Sequence, residues 1–207
     1  MTWLVSYPRS GSTLTRILCW QVFGIKSTND CPESPLEEQL GTICEGIVPY
    51  GTIDKEPFLI KTHQQINTTE KVIYIVRNVR ACYISKYHFY TLQGSLKENI
   101  LNNPLFNSEK RGWSKSLDFW QPLTRPDTLL IKYEDIVANS TKVIIDLYKF
   151  LGVKAKDKWY NNFEELHSKL PDYFREGTID SWKKEWNDEL EQIVLKQDGN
   201  WITKLGY

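Results

Sequence analysis

Thr2-Trp3-Leu4-Val5-Ser6-Tyr7-Pro8-Arg9-Ser10-Gly11-Ser12-Thr13-Leu14 runs from an apolar stretch through a polar turn into a helical pattern. Thr2 to Ser6 reads as a buried strand, Pro8 to Thr13 as a tight turn, and Leu14 to Val22 as a helix. Strand, polar turn and helix is the layout that aims backbone N–H groups and a helix N-terminus at an anion. Arg9, Ser10, Ser12 and Thr13 add side-chain donors around the same point. The nucleotide-kinase signature G-x-x-x-x-G-K-[ST] is absent, since the turn has one glycine and no lysine before its Ser or Thr. The loop therefore suits a phosphate or sulfate but not standard ATP or GTP chemistry.

Working outward, three further apolar, β-branched runs read as buried strands: Phe58 to Thr62, Lys71 to Arg77 and Thr128 to Tyr133. Helical patterns lie between and after them, at Ser12 to Phe23, Arg80 to Thr91, Glu109 to Trp120, Lys142 to Leu151 and Asp188 to Gln197. Gly152 is placed to end the fourth of these. Strands alternating with helices predict an α/β fold with a central, mostly parallel sheet flanked by helices. Ligands of such sheets bind outside the carboxyl ends of the strands. Arg9, Lys61, His63 and Arg77 all follow or end a predicted strand. The stretch from Gly24 to Lys55 reads as irregular and lid-like, and Asn102 to Lys110 as a second loop. With no repeat or clear linker, residues 1–207 are expected to form one domain.

Composition narrows the function. The 26 basic and 26 acidic residues cancel to a formal charge of zero, which argues against a general nucleic-acid or membrane-surface binder and still permits a local basic pocket. Cys19, Cys31, Cys44 and Cys82 form no C-x-x-C pair, so neither a zinc site nor a redox motif is expected. No signal peptide and no membrane-spanning run is apparent, and a reducing, cytoplasmic setting is the expectation. The eight Trp and eleven Tyr are read mainly as core and surface anchors.

Three constellations carry chemistry. Lys61-Thr62-His63 ends the second strand; a histidine there is either structural or a base for an acceptor hydroxyl, with Lys61 holding charge on a transferred group. Arg77-Asn78-Val79-Arg80 opens the following helix, with Ser85 eight residues beyond Arg77. Basic residues at a helix start oppose the macrodipole, so an external anion is the alternative to an ordinary basic surface. Phe174-Arg175-Glu176-Gly177, followed by Asp180-Ser181-Trp182-Lys183, is either a surface loop or a close backbone approach to a phosphate.

Together these segments resemble the sulfotransferases that use 3′-phosphoadenosine 5′-phosphosulfate (PAPS), the cytosolic type more than the Golgi type. Tyr7 to Thr13 is similar to their 5′-phosphosulfate loop, commonly Tyr-Pro-Lys-Ser-Gly-Thr-Thr. Lys61-Thr62-His63 matches their Lys-Thr-His, and Arg77-Asn78 with Ser85 their 3′-phosphate segment. Tyr133-Glu134-Asp135 resembles their Tyr-Glu-Asp, and Arg175-x-Gly177 with Trp182-Lys183 their C-terminal signature. The resemblance runs in order from residue 3 to about 186. It implies a P-loop-NTPase-like sulfotransferase fold and sulfuryl transfer to a small-molecule or glycan acceptor, with no metal. It also implies His63, Lys61 and Arg9 as catalytic residues. Arg9, Ser10, Gly11, Ser12, Thr13 and Leu14 would surround the 5′-phosphosulfate. Arg77, Ser85, Arg175, Glu176 and Gly177 would lie at the 3′-phosphate, and Tyr133 and Phe163 at the adenine. Arg9 replaces the usual lysine, as in carbohydrate sulfotransferases. Glu176 replaces a basic residue, which weakens the 3′-phosphate site unless Arg80 compensates. The rival readings are a Mg-dependent P-loop kinase and a non-catalytic binder of adenosine 3′,5′-bisphosphate.

Overall fold

The computed structural model describes residues 1–28, 58–108, 112–161 and 163–207. In chain order the described elements begin β1 (Thr2–Ser6), α1 (Ser12–Phe23), β2 (Lys26–Thr28), β3 (Phe58–Thr62), β4 (Lys71–Val76), α2 (Val79–Phe89) and α3 (Leu96–Asn102). They continue α4 (Pro104–Asn107), α5 (Trp113–Trp120), β5 (Thr128–Lys132), α6 (Tyr133–Ala138), α7 (Ser140–Leu151), α8 (Phe163–Lys169), a 3₁₀ turn (Ser181–Lys184) and α9 (Asp188–Leu205). Contacts group them into two compact units. Met1–Ser6, Gly11–Val76 and Pro122–Tyr160 form the first; Tyr7–Ser10, Arg77–Gln121 and Asn161–Tyr207 form the second.

The first unit holds the sheet, in the order β2-β3-β1-β4-β5, with every neighbouring pair parallel. β4 is buried from Val72 to Val76, the continuous apolar run expected of a strand covered on both faces. The register sets Leu4 beside Lys61 and Ile73, and Ile73 beside Leu129, so these side chains share one face. Leu18, Val22 and Phe23 of α1, Ile136 of α6, and Val143 and Leu147 of α7 join Leu4, Leu59, Ile73 and Ile131 in one apolar cluster. Each such side chain, fully buried, contributes about 1.5–3 kcal/mol. Gly24 ends α1 in the left-handed region at φ 66, its N–H returning to the Trp20 carbonyl and the Ile25 N–H to that of Cys19.

The second unit is helical. Tyr83 meets Tyr7 and Phe106 edge to face, at centroid distances of 6.3 and 5.3 Å. Lys86 is 2% exposed. Its ammonium donates to the Tyr7 hydroxyl at 2.9 Å and to the Leu105 carbonyl, and lies 4.3 Å from the Tyr7 ring centroid. A buried charge persists only with such partners. Asp198 of α9 accepts from Tyr83 Oη at 2.9 Å, Ser114 Oγ at 2.5 Å and the Ser114 N–H at 3.2 Å. Gly112, the N-cap of α5, has no side chain to offer, so Asp198 caps that helix from across the unit.

The α/β, parallel-sheet expectation holds, and several boundaries move. β4 stops at Val76 and β5 at Lys132, so Arg77 lies in the turn before α2 and Tyr133 is the first residue of α6. Lys26–Thr28 is a strand within the stretch read as irregular; residues 29–55 of that stretch lie outside the described residues, as do Cys31 and Cys44. The second predicted loop contains α4, started by Pro104 at its first position and by the Asn103 side chain. α5 begins at Trp113 rather than Glu109, and residues 109–111 are not described. α9 continues to Leu205, eight residues past the expected end. Trp201, Ile202 and Leu205 are buried there, and packing outweighs the turn-like Asp198-Gly199-Asn200. Among the described residues, no helix is long and apolar enough to cross a membrane.

Candidate active site

Because the sheet is parallel, β1, β3 and β5 all deliver the chain to the same edge. His63 is the first residue beyond β3. Its Nδ1 lies 2.7 Å from the Ser6 carbonyl, at the end of β1, and 3.2 Å from Ser6 Oγ. A carbonyl can only accept, so Nδ1 carries the proton and the ring's basic lone pair sits on Nε2. The Gln64 N–H donates to Thr62 Oγ1 at 3.0 Å and fixes the turn that carries His63. Lys61, two residues earlier, lies on the sheet face that α1 covers.

Gly11 is the N-cap of α1, at φ 101, and contributes no side-chain cap; the first turn holds no acidic residue. The first-turn N–H groups of Ser12, Thr13 and Leu14 have no acceptor within the helix. With the positive end of the macrodipole they make a terminus whose charge and geometry suit an anion. A Cβ on Gly11 would stand 2.5 Å from Cδ2 of Tyr133. The Tyr133 ring, delivered by the end of β5, thus lies directly against the loop.

The second unit gathers the other predicted donors. Arg9 has φ 69, in the left-handed region that few non-glycine residues occupy. Its Nε donates to Ser85 Oγ at 3.0 Å and its Nη2 to the Tyr173 carbonyl at 3.0 Å. Its guanidinium carbon lies 4.2 Å from the Phe89 ring centroid. Burial, then the charge of Arg77, lowers the Arg9 pKa to about 10, which leaves it a cation at neutral pH. Arg77 Nη1 donates to the Arg9 carbonyl at 3.2 Å, while the Arg77 carbonyl accepts from Trp113 Nε1 at 3.2 Å. The sequence reading sets Ser10 at the anion. In the structure its N–H closes the turn on the Tyr7 carbonyl at 3.2 Å and its hydroxyl lies 3.4 Å from the Cys82 thiol.

Near the C-terminus, Gly177 has φ 64, and a Cβ there would stand 2.5 Å from the Phe163 ring. Phe163 is thus fixed against Gly177, with Phe174 edge-on at 6.3 Å. Arg175 pairs with Glu185 at 3.0 Å, and Glu185 also takes His88 Nε2 at 2.6 Å. Burial opposes ionisation of Glu185, yet hydrogen bonds from His88 and Arg175 hold it below the usual carboxylate range. Glu176 pairs with Lys184 at 3.2 Å. Arg80, the expected compensation for Glu176, is instead forked on Glu191 at 2.7 and 2.5 Å. Sequence reasoning missed Ser6, Tyr173 and Glu185. Ser6 follows from strand register, and the other two act through contacts with no local signature.

The sulfotransferase domain model matches residues 1–196. The chain belongs to that family. It is similar to mouse sulfotransferase 4A1, at 28% identity over 174 residues, 74% of this chain and 60% of the relative. It also resembles mouse sulfotransferase 1A1, at 24% identity, covering 86% of this chain and 76% of that protein. The chain thus spans 60% of the length of the first of these relatives. Among solved structures it is similar to mouse sulfotransferase SULT7A1 complexed with PAP, with a TM-score of 0.67 and 19% identity over 94% of this chain and 81% of that one. Retinol dehydratase in complex with retinol and PAP gives 0.64 and 17%, over 97% and 80%. At these identities the structural likeness carries the sulfotransferase fold.

Proposed function

We propose that this family member transfers the sulfuryl group of PAPS, in line, to a hydroxyl of a small-molecule or glycan acceptor. The observation that supports the mechanism is the Nδ1 contact of His63 with the Ser6 carbonyl, which is consistent with Nε2 as the base. Nε2 takes the acceptor proton, the acceptor oxygen bonds to sulfur, and the bond from sulfur to the 5′-phosphate oxygen breaks. Adenosine 3′,5′-bisphosphate leaves. Lys61 and Arg9 offset charge on the sulfuryl and bridging oxygens.

In this reading each phosphate of the donor has its own set of groups. The N-terminus of α1, with Gly11, Ser12, Thr13 and Leu14, suits the 5′-phosphate. Arg77, Ser85, Arg175 and the Gly177 N–H are assigned to the 3′-phosphate, and Tyr133 and Phe163 to the adenine. Glu176, paired with Lys184, contributes no positive charge to that assignment. Residues 1–207 act as one sulfotransferase domain in this reading. Its setting is the cytoplasm, in keeping with Cys19 and Cys82 as free thiols.

Side-chain cations take the place that Mg²⁺ holds in kinases, which gives the test. With sulfur-labelled PAPS and a panel of phenols, alcohols and sugars, label transfer is expected to persist in EDTA. Transfer of phosphate from ATP that stops in EDTA, with no label transferred from PAPS, would establish a kinase instead.

A further inference from the structure

Arg9 departs from the lysine usual at its position, and its surroundings are built for a planar cation. The guanidinium face rests on Phe89, 4.2 Å from the ring centroid, with Tyr173 at 5.9 Å. One edge donates through Nε to Ser85 Oγ, and Nη2 reaches the carbonyls of Tyr173 at 3.0 Å and Asp172 at 3.5 Å. Phe89 is itself held edge-on by Tyr173 and Tyr90, at 5.0 and 5.1 Å. The backbone is fixed as firmly: φ is 69, and the Arg9 carbonyl accepts from Arg77. Among the described residues Nη1 is the one guanidinium nitrogen of Arg9 without a hydrogen-bond partner. A lysine ammonium has no plane to stack and no fork to span a hydroxyl and a carbonyl together.

We infer that Phe89, Ser85 and the Asp172–Tyr173 backbone form a seat that fixes Arg9, making Phe89 a positioning residue that serves arginine and not lysine. This rests on the proposed PAPS chemistry, in which the seated cation presents Nη1 to the sulfuryl oxygens without reorganising. The C-terminal segment at residues 172–173 thereby becomes part of the determinant that reads the transferred group.

A double-mutant cycle tests it. Affinity for PAPS and for adenosine 3′,5′-bisphosphate is measured by titration calorimetry on the wild type, Phe89→Leu, Arg9→Lys and the double variant, with melting temperatures alongside. Phe89→Leu is expected to weaken PAPS binding about fivefold when Arg9 is present and less than about twofold beside Lys, while Phe89→Tyr recovers most of the loss. The loss is smaller for the bisphosphate, which lacks the sulfuryl group. The exposed Tyr173→Ala change, which thins the same seat, is expected to show the same dependence on Arg9 should Phe89→Leu not fold. An equal loss in both backgrounds, or none in the Arg9 protein, overturns the seat while leaving the donor reading intact. A wild type that binds neither nucleotide overturns the donor reading, and the seat with it.

Discussion

At the scale of single residues, one hydrogen bond decides what His63 can do. Lys61-Thr62-His63 is legible as a candidate segment, but the tautomer is not, because it depends on Ser6 arriving beside it through the pairing of β1 with β3. His63→Ala is expected to lower kcat by about 10²–10⁴-fold with donor affinity little changed. Full turnover by that variant, measured with labelled PAPS, would remove His63 from the role. Gly11 is the second residue whose identity is fixed by geometry. It combines φ 101 with a Tyr133 ring atom 2.5 Å from where a Cβ would stand. Gly11→Ala must therefore strain the backbone and displace Tyr133 at once, costing about 1–3 kcal/mol for the backbone alone. A lower melting temperature and at least about a tenfold loss of bisphosphate affinity are expected; unchanged titration and melting curves would show that the loop tolerates the methyl group. The glycine is visible in the sequence as a turn residue, whereas the tyrosine over it is not.

At the scale of elements, the strands and helices legible in advance are those whose pattern and burial agree. β1, β3, β4 and α1 are apolar where they pack and punctuated by glycine or polar residues where they stop. α9 breaks the rule. Its stop signal, Asp198-Gly199-Asn200, lies inside the helix because Asp198 is consumed by Tyr83 and Ser114. The three-residue β2 gives no periodic signal at all; buried Ser27 holds Arg16 of α1 at 2.8 Å, a contact that only the assembled sheet creates. α3 has a legible start that the apolar pattern does not pick out, since Ser95 and Glu98 form a reciprocal capping box. Asp198 joins α2, α5 and α9, so Asp198→Ala removes a helix cap and strands the buried Tyr83 hydroxyl and the partly buried Ser114 hydroxyl. A loss of about 2–4 kcal/mol is expected in urea unfolding. A loss below about 0.5 kcal/mol would mean that water replaces the cap.

At the scale of the whole molecule, the pattern of carboxylates sets how the fold responds to acid. The hydrogen bonds from Arg80, opposed by burial and aided by Trp186, hold Glu191 below its ordinary 4.5. A depressed pKa means that the unfolded chain binds the proton first. Stability from this pair is complete above about 4.5 and is lost as pH falls through the lower folded value. Asp198 runs the other way. Burial, only partly offset by Ser114 and Tyr83, raises it above 3.8, so the folded protein keeps a proton that the unfolded chain releases. Its contribution is largest below 3.8 and diminishes as pH rises through the folded value. The two groups thus have opposite slopes in adjoining windows, which the formal charge of zero could not reveal. Urea midpoints measured from about pH 3 to 6 separate them. Glu191→Gln is expected to flatten the loss of stability toward acid, and Asp198→Asn to steepen it. Parallel curves for the wild type and Glu191→Gln would show that the Arg80 fork contributes no acid dependence to the fold.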